Sequence, residues 1–183
     1  HLEEATRVRA VSSWIVEAPT RRKHKLSNTS ISYQGYVFVR VTLENGVEGF
    51  GEASTLGGPR WAEESVEAIK ANIDTYLAPA LIGKPACLPE AAAGEMAKAA
   101  KRNNAAKSAL DTALLDATGK TLGVSAHVLL GGARRRSFSA IWALASGDAG
   151  QEVDEAQGMI EKGWFNRFKI KLGFADPATD LDR

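Results

Sequence analysis

Hydrophobic positions recur with period two in the first third of the chain and with a helical period after it. In the stretch "YVFVRVTL", Val37, Val39, Val41 and Leu43 alternate with Tyr36, Phe38, Arg40 and Thr42, the pattern of a strand with one face inward. "RVRAVSSWIVEAP" reads as a strand before it, ended by Pro19. Asn45-Gly46, between "YVFVRVTL" and "VEGFGEA", is a strong hairpin signal, so the opening third predicts an antiparallel meander. The turn-rich loop "STLGGPRW" follows. Beyond it Val66, Ile69, Ile73, Tyr76 and Leu77 fall on one helical stripe, in a helix that Pro79 ends or disrupts. "PEAAAGEMAKAA" predicts a helix with a thin apolar face. "NAAKSALDTALLDATGKTLG" predicts another, with Ala106, Ala109, Leu110, Ala113, Leu114 and Ala117 inward and packed closely on a neighbour.

The order of elements then changes. "FSAIWALA" is apolar on both faces, as a buried parallel strand is. "SGDAGQEVDEAQGMIEKG" predicts a helix with Val153, Ala156 and Ile160 inward, stopped by Gly163. "RFKIKL" is the next strand and "DPATDLD" opens another helix. Strand, helix, strand, helix predicts a βα repeat and hence a parallel sheet.

That context bears on "RFKIKL", where Lys169 and Lys171 share one face and Phe168, Ile170 and Leu172 the other. On an antiparallel surface strand the lysines would simply be solvated. On a parallel strand both faces are usually covered, and two buried neighbouring ammonium groups depress each other's pKa toward the range of a working acid or base.

Composition narrows the remaining classes. The chain has 183 residues, 44% hydrophobic and 25% charged, with a net charge of +1, which offers no electrostatic case for nucleic acid or an anionic membrane. The run Arg134–Arg136 is too short to change this, and no apolar stretch approaches the ~20 residues of a membrane span. The first residues, "HLEEATR", do not resemble a signal peptide. Cys87 is the only cysteine, which excludes an internal disulfide, suits a cytoplasmic setting and is expected to pack as a small hydrophobe.

A meander with a helical cap, followed by βα units with K-x-K on the second strand, resembles the enolase superfamily, whose sites pair a Lys or His base with a divalent metal. Within it the chain resembles the muconate cycloisomerase family. The resemblance covers nearly the whole chain and rests on "RKHKLS", "GVEGFGEASTLGG", "IKANIDTYLAPALIG", "AKSALDTALLDATGKTLG", "LLGG", "WALASGD" and "FKIKLG" in that order. K-x-K alone is a weak motif; the ordered set is specific.

The resemblance implies an α+β capping domain (antiparallel β-meander plus helices) over residues 1–133. At 134–183 it implies the first βα units of a TIM-type (β/α) barrel, so that the chain reads as the N-terminal half of a longer enzyme, inactive by itself. It implies syn lactonisation of cis,cis-muconate or a chloromuconate through an enediolate, in aromatic-compound catabolism, by a cytoplasmic homo-oligomer. Lys171 would exchange the proton at the carbon α to a carboxylate, and Lys169 would lower its pKa. His24 and Lys25 of "RKHKLS", with Leu56 and Trp61 of "STLGGPRW", would contact the dicarboxylate substrate. Relatives often carry Tyr at the Trp61 position, which leaves the choice of muconate open. Mn²⁺ or Mg²⁺ would be held by acidic residues of later strands, and no metal ligand is assigned in this chain.

Plainer roles stand beside these. His24 and Lys25 can be solvated loop residues, and Leu56 and Trp61 hydrophobic plugs. Glu52 is expected to make a structural hydrogen bond, and Ser146 and Asp148 to line the mouth or, for Asp148, to cap the next helix. The same lysine pair would also serve a dipeptide epimerase or an N-acylamino-acid racemase, and a non-catalytic domain could use it to hold an anion.

Overall fold

The structure, a computed structural model, describes residues 1–22, 30–60, 62–173 and 176–182, together with the backbone of 23–25 within a strand. The elements run α1 (Leu2–Ala5), β1 (Val8–Lys25), β2 (Ser30–Leu43), β3 (Glu48–Thr55), α2 (Val66–Asn72), α3 (Ala78–Leu81), α4 (Pro89–Ala99), α5 (Asn104–Leu122), α6 (Ala126–Leu129), β4 (Trp142–Leu144), α7 (Ala149–Glu161), β5 (Phe168–Ile170) and α8 (Pro177–Asp182). They form two compact units. The first holds His1–Pro19 and Tyr33–Ala133, the second Thr20–Ser32 and Arg134–Arg183, so β1 starts in one unit and finishes in the other.

In the first unit the strands lie in the order β1-β2-β3, with β2 and β3 antiparallel from Gly35↔Thr55 to Thr42↔Glu48. The period-two reading holds: Val37, Val39, Val41 and Leu43 are all fully buried. The hairpin sits where Asn45-Gly46 predicts it. Gly46 adopts φ 81°, and its N–H closes a turn onto the Leu43 carbonyl at 3.0 Å. Asn45 keeps a negative φ, so the loop is a turn with a bulge glycine at its end. The inward stripe of α5 is also as expected, and it lies directly on β3. Gly49 and Gly51 make this approach possible, since a β-carbon on either would fall 2.1 Å from the Ala113 oxygen or 2.0 Å from the Ala109 oxygen. Asp116 of α5 accepts from the Phe50 N–H at 2.8 Å and so satisfies a backbone donor on the exposed edge of β3.

Pro19 does not end the strand it was expected to end. β1 runs through Pro19 to Lys25; it is an edge strand, where the missing donor can point away from the ladder. Pro79 disrupts its helix rather than stopping it, one of the two outcomes expected: the chain widens into a π-turn over Ile73–Leu77, which bypasses the hydrogen bond proline cannot donate, and goes on as α3. The wider turn rotates Tyr76 off the apolar stripe, leaving it 55% exposed.

In the second unit β4 and β5 are parallel, pairing Trp142↔Phe168, Ala143↔Lys169 and Leu144↔Ile170. The expected βα order is therefore present: β4, α7, β5, α8. The strand expected over "FSAIWALA" is limited to Trp142–Leu144, and Phe138 and Ile141 are exposed, because the ladder with β5 spans only three residues. Helix α7 begins at Asp148, whose carboxylate accepts from the Gln151 N–H at 2.8 Å, and ends at Gly163 with φ 66°. Its inward face differs from expectation. Val153 and Ile160 are exposed, and Glu152 is buried with its carboxylate accepting from the Gly147 N–H at 3.1 Å, a charge-assisted bond. Among the described residues no helix is long and apolar enough to cross a membrane.

Candidate functional site

The lysine pair singled out from the sequence lies on β5 and just beyond its carboxyl end. Lys169 lies on β5 opposite Ala143 and is exposed, whereas Lys171, just beyond the strand, is half-buried. The expected apolar face of this strand is the less covered one, with Ile170 59% and Leu172 67% exposed. Burial holds the Lys171 amine below the usual lysine range, and repulsion from Lys169 and from Arg22 acts in the same direction. Simple solvation therefore describes Lys169 alone.

Arg22 was not singled out from the sequence beyond its place at the head of "RKHKLS". It stands on the part of β1 that belongs to the second unit. Its Nη2 donates to the Ala143 carbonyl at 2.5 Å and its Nη1 to Glu155 Oε2 at 3.1 Å. The guanidinium also lies 5.2 Å from the centre of the Trp142 ring. Trp142 Nε1 donates to the other Glu155 oxygen at 2.9 Å, and its ring packs against Phe165 with centroids 5.0 Å apart. One carboxylate thus serves both an indole and a guanidinium, and the three side chains form a closed arrangement beside Ala143, the ladder partner of Lys169. Glu155 is on the predicted helix, but on a face the apolar periodicity did not choose.

The other expected residues fall out as follows. Leu56 is half-buried in the turn after β3, followed by Gly57 and Gly58 at φ 72° and 71°. Trp61, His24 and Lys25 lie outside the residues whose side chains are described. Glu52 does not make the structural hydrogen bond expected of it among the described residues; it is exposed on the outer face of β3 opposite Phe38, where a carboxylate keeps its hydration. Asp148 caps α7, and the Ser146 hydroxyl accepts from the Asp148 N–H at 3.1 Å, so both serve the local turn. Cys87 is half-buried and unbridged. Among the described residues no group of three or more His, Cys, Asp or Glu side chains converges to hold a metal ion. The arrangement offers one amine held below its ordinary pKa in positive surroundings, suited to moving a proton beside an anion.

Comparison with known proteins agrees in extent and in kind. Residues 10–131 match the family described as mandelate racemase / muconate lactonizing enzyme, N-terminal domain. The chain is 46% identical over 176 residues to a chloromuconate cycloisomerase of Cupriavidus necator, covering 96% of this chain and 47% of that protein. It is 48% identical over 166 residues to muconate cycloisomerase 1 of Pseudomonas putida, covering 90% and 44%. Among solved structures, the muconate lactonizing enzyme from Pseudomonas fluorescens complexed with muconolactone superposes with a TM-score of 0.93 at 39% identity, over 97% of this chain and 48% of that one. The chain spans about half the length of the curated relatives it matches.

Proposed function

Because the chain belongs to the mandelate racemase / muconate lactonizing enzyme family, we propose that the whole protein is a cycloisomerase that lactonises cis,cis-muconate or a chloromuconate in aromatic-compound catabolism. The observation that carries the reading is Lys171: a half-buried amine with a lowered pKa, at the end of a parallel strand, with Lys169 and Arg22 as its positive neighbours. In this reading residues 1–133 are a capping domain and 134–183 begin a (β/α) barrel.

The chemistry asks for a proton delivered at carbon. One carboxylate oxygen of the substrate adds to the double bond conjugated with the other carboxylate, and the displaced electron pair moves onto that second carboxylate as an enediolate. The Lys171 ammonium then gives its proton to the α carbon, which restores the carboxylate and leaves a neutral amine. In the reverse direction that amine removes the α proton. Lys169 tunes the amine by repulsion and adds positive potential where the enediolate's charge develops. Leu56, Trp61, His24 and Lys25 contact the substrate. The family also implies a divalent cation, and the reading takes it as Mn²⁺ or Mg²⁺, oxygen-seeking ions suited to carboxylates. The described residues show no ligand set for it; the resemblance puts its ligands on later barrel strands, and no step is drawn through it. The reading also takes the protein to be a cytoplasmic homo-oligomer.

The experiment is an ultraviolet assay of the full-length protein with cis,cis-muconate and Mn²⁺, following loss of the conjugated diene. Lactone formation is the expected result. Proton exchange on a dipeptide or an N-acylamino acid without lactonisation would assign the site to an epimerase or racemase instead.

A further inference from the structure

We propose that Arg22 is a positioning residue for the lysine pair: its guanidinium ties the far end of β1 to β4 and α7, and so sets the placement and the positive surroundings of the strand bearing Lys169 and Lys171. The inference rests on the lactonisation reading for its effect on turnover, and on geometry for the rest.

Three separate groups are held by one side chain: the Ala143 carbonyl at 2.5 Å, Glu155 Oε2 at 3.1 Å and the Trp142 ring at 5.2 Å. Only a planar fork that also stacks can meet all three at once; a lysine ammonium is a point charge on a flexible stem. Ala143 is the ladder partner of Lys169. A group bonded to its carbonyl therefore acts on the backbone that fixes the lysine strand. An exposed ion pair would contribute little. The Arg22–Glu155 pair is partly buried, with side-chain exposures of 33% and 20%, and its carboxylate is further fixed by the Trp142 indole.

The charges around Lys171 come from several elements. Lys169 stands on its own strand and Arg22 approaches from β1, both opposing its ammonium form. Glu155 of α7 faces Arg22. Arg22 carries its charge at every working pH, so its influence on Lys171 is constant and is removed only by substitution.

The test uses the full-length protein with Arg22→Met and Arg22→Lys. One readout is the pH dependence with which an amine-selective reagent labels Lys171, followed by mass spectrometry, which needs no turnover. The other is kcat/KM for cis,cis-muconate. Arg22→Met is expected to raise the labelling midpoint and to lower kcat/KM by about tenfold or more. Arg22→Lys is expected to keep the midpoint and still lose several-fold in kcat/KM, because the charge stays and the fork is gone. An unmoved midpoint in Arg22→Met, or wild-type kcat/KM in Arg22→Lys, would overturn the proposal; the second result decides it even if Arg22→Met does not fold. If the wild-type protein does not lactonise muconate, the functional reading fails while the labelling experiment still judges Arg22.

Discussion

Gly51 and the carbonyl of Ala109 lie so close that a β-carbon at position 51 would sit 2.0 Å from the oxygen. The contact is with backbone on both sides, so neither partner can swing away. Gly51→Ala should therefore separate β3 from α5 and destabilise the protein by about 2 kcal/mol or more. Gly94, inside α4, has nothing within 4 Å of the same virtual atom. Gly94→Ala should stabilise by about 0.5–1 kcal/mol through helix propensity. Urea denaturation of both variants checks the pair, and a shift of the same sign in both would contradict this account of the interface.

Leu56 follows β3 in a turn with two left-handed glycines. The proposed function gives it, with Trp61, a part in substrate fit. Leu56→Ala and Trp61→Ala in the full-length protein should change the ratio of kcat/KM for muconate over chloromuconate by about threefold or more. The urea midpoint should move little. Equal losses on both substrates would mark the two residues as packing only.

Lys171 is held low by burial first, by Lys169 second and by Arg22 third. Lys169→Ala removes one opposing charge, so the Lys171 pKa rises and its ammonium form survives to higher pH. Lactonisation needs that form, and its basic limb should shift upward; proton abstraction from the lactone needs the neutral amine, and its acidic limb should shift upward too. Residual activity is expected throughout. A kcat–pH profile with both limbs in the wild-type position would remove the tuning role from Lys169.

The parts of the fold legible in the sequence are those written in local periods. Val37 to Leu43 and Ala106 to Ala117 bury as their spacing predicts, because a strand or helix face is chosen by residues two or three to four apart. The Lys169–Lys171 spacing was legible for the same reason. What escaped depends on non-local terms. Pro19 stays in its strand because β1 has a free edge. On α7, Glu152 and Glu155 are held by partners outside the helix, the Gly147 N–H, Trp142 and Arg22. Arg22 meets Ala143 and Glu155 across 121 and 133 residues of sequence, a distance no period encodes.

The central claim is that Lys171 moves the proton. Lys171→Ala in the full-length protein should reduce lactonisation of cis,cis-muconate by about a thousandfold or more, the scale on which loss of a general acid is felt. Exchange of the lactone's α proton with deuterated solvent should vanish with it. The urea midpoint and metal content should remain near wild type, since the amine is only half-buried and no metal ligand is assigned to it. Measuring both rates on this one variant is the most direct test. Parallel loss of lactonisation and exchange in a folded, metal-loaded protein is the predicted result, and near wild-type lactonisation would contradict the account.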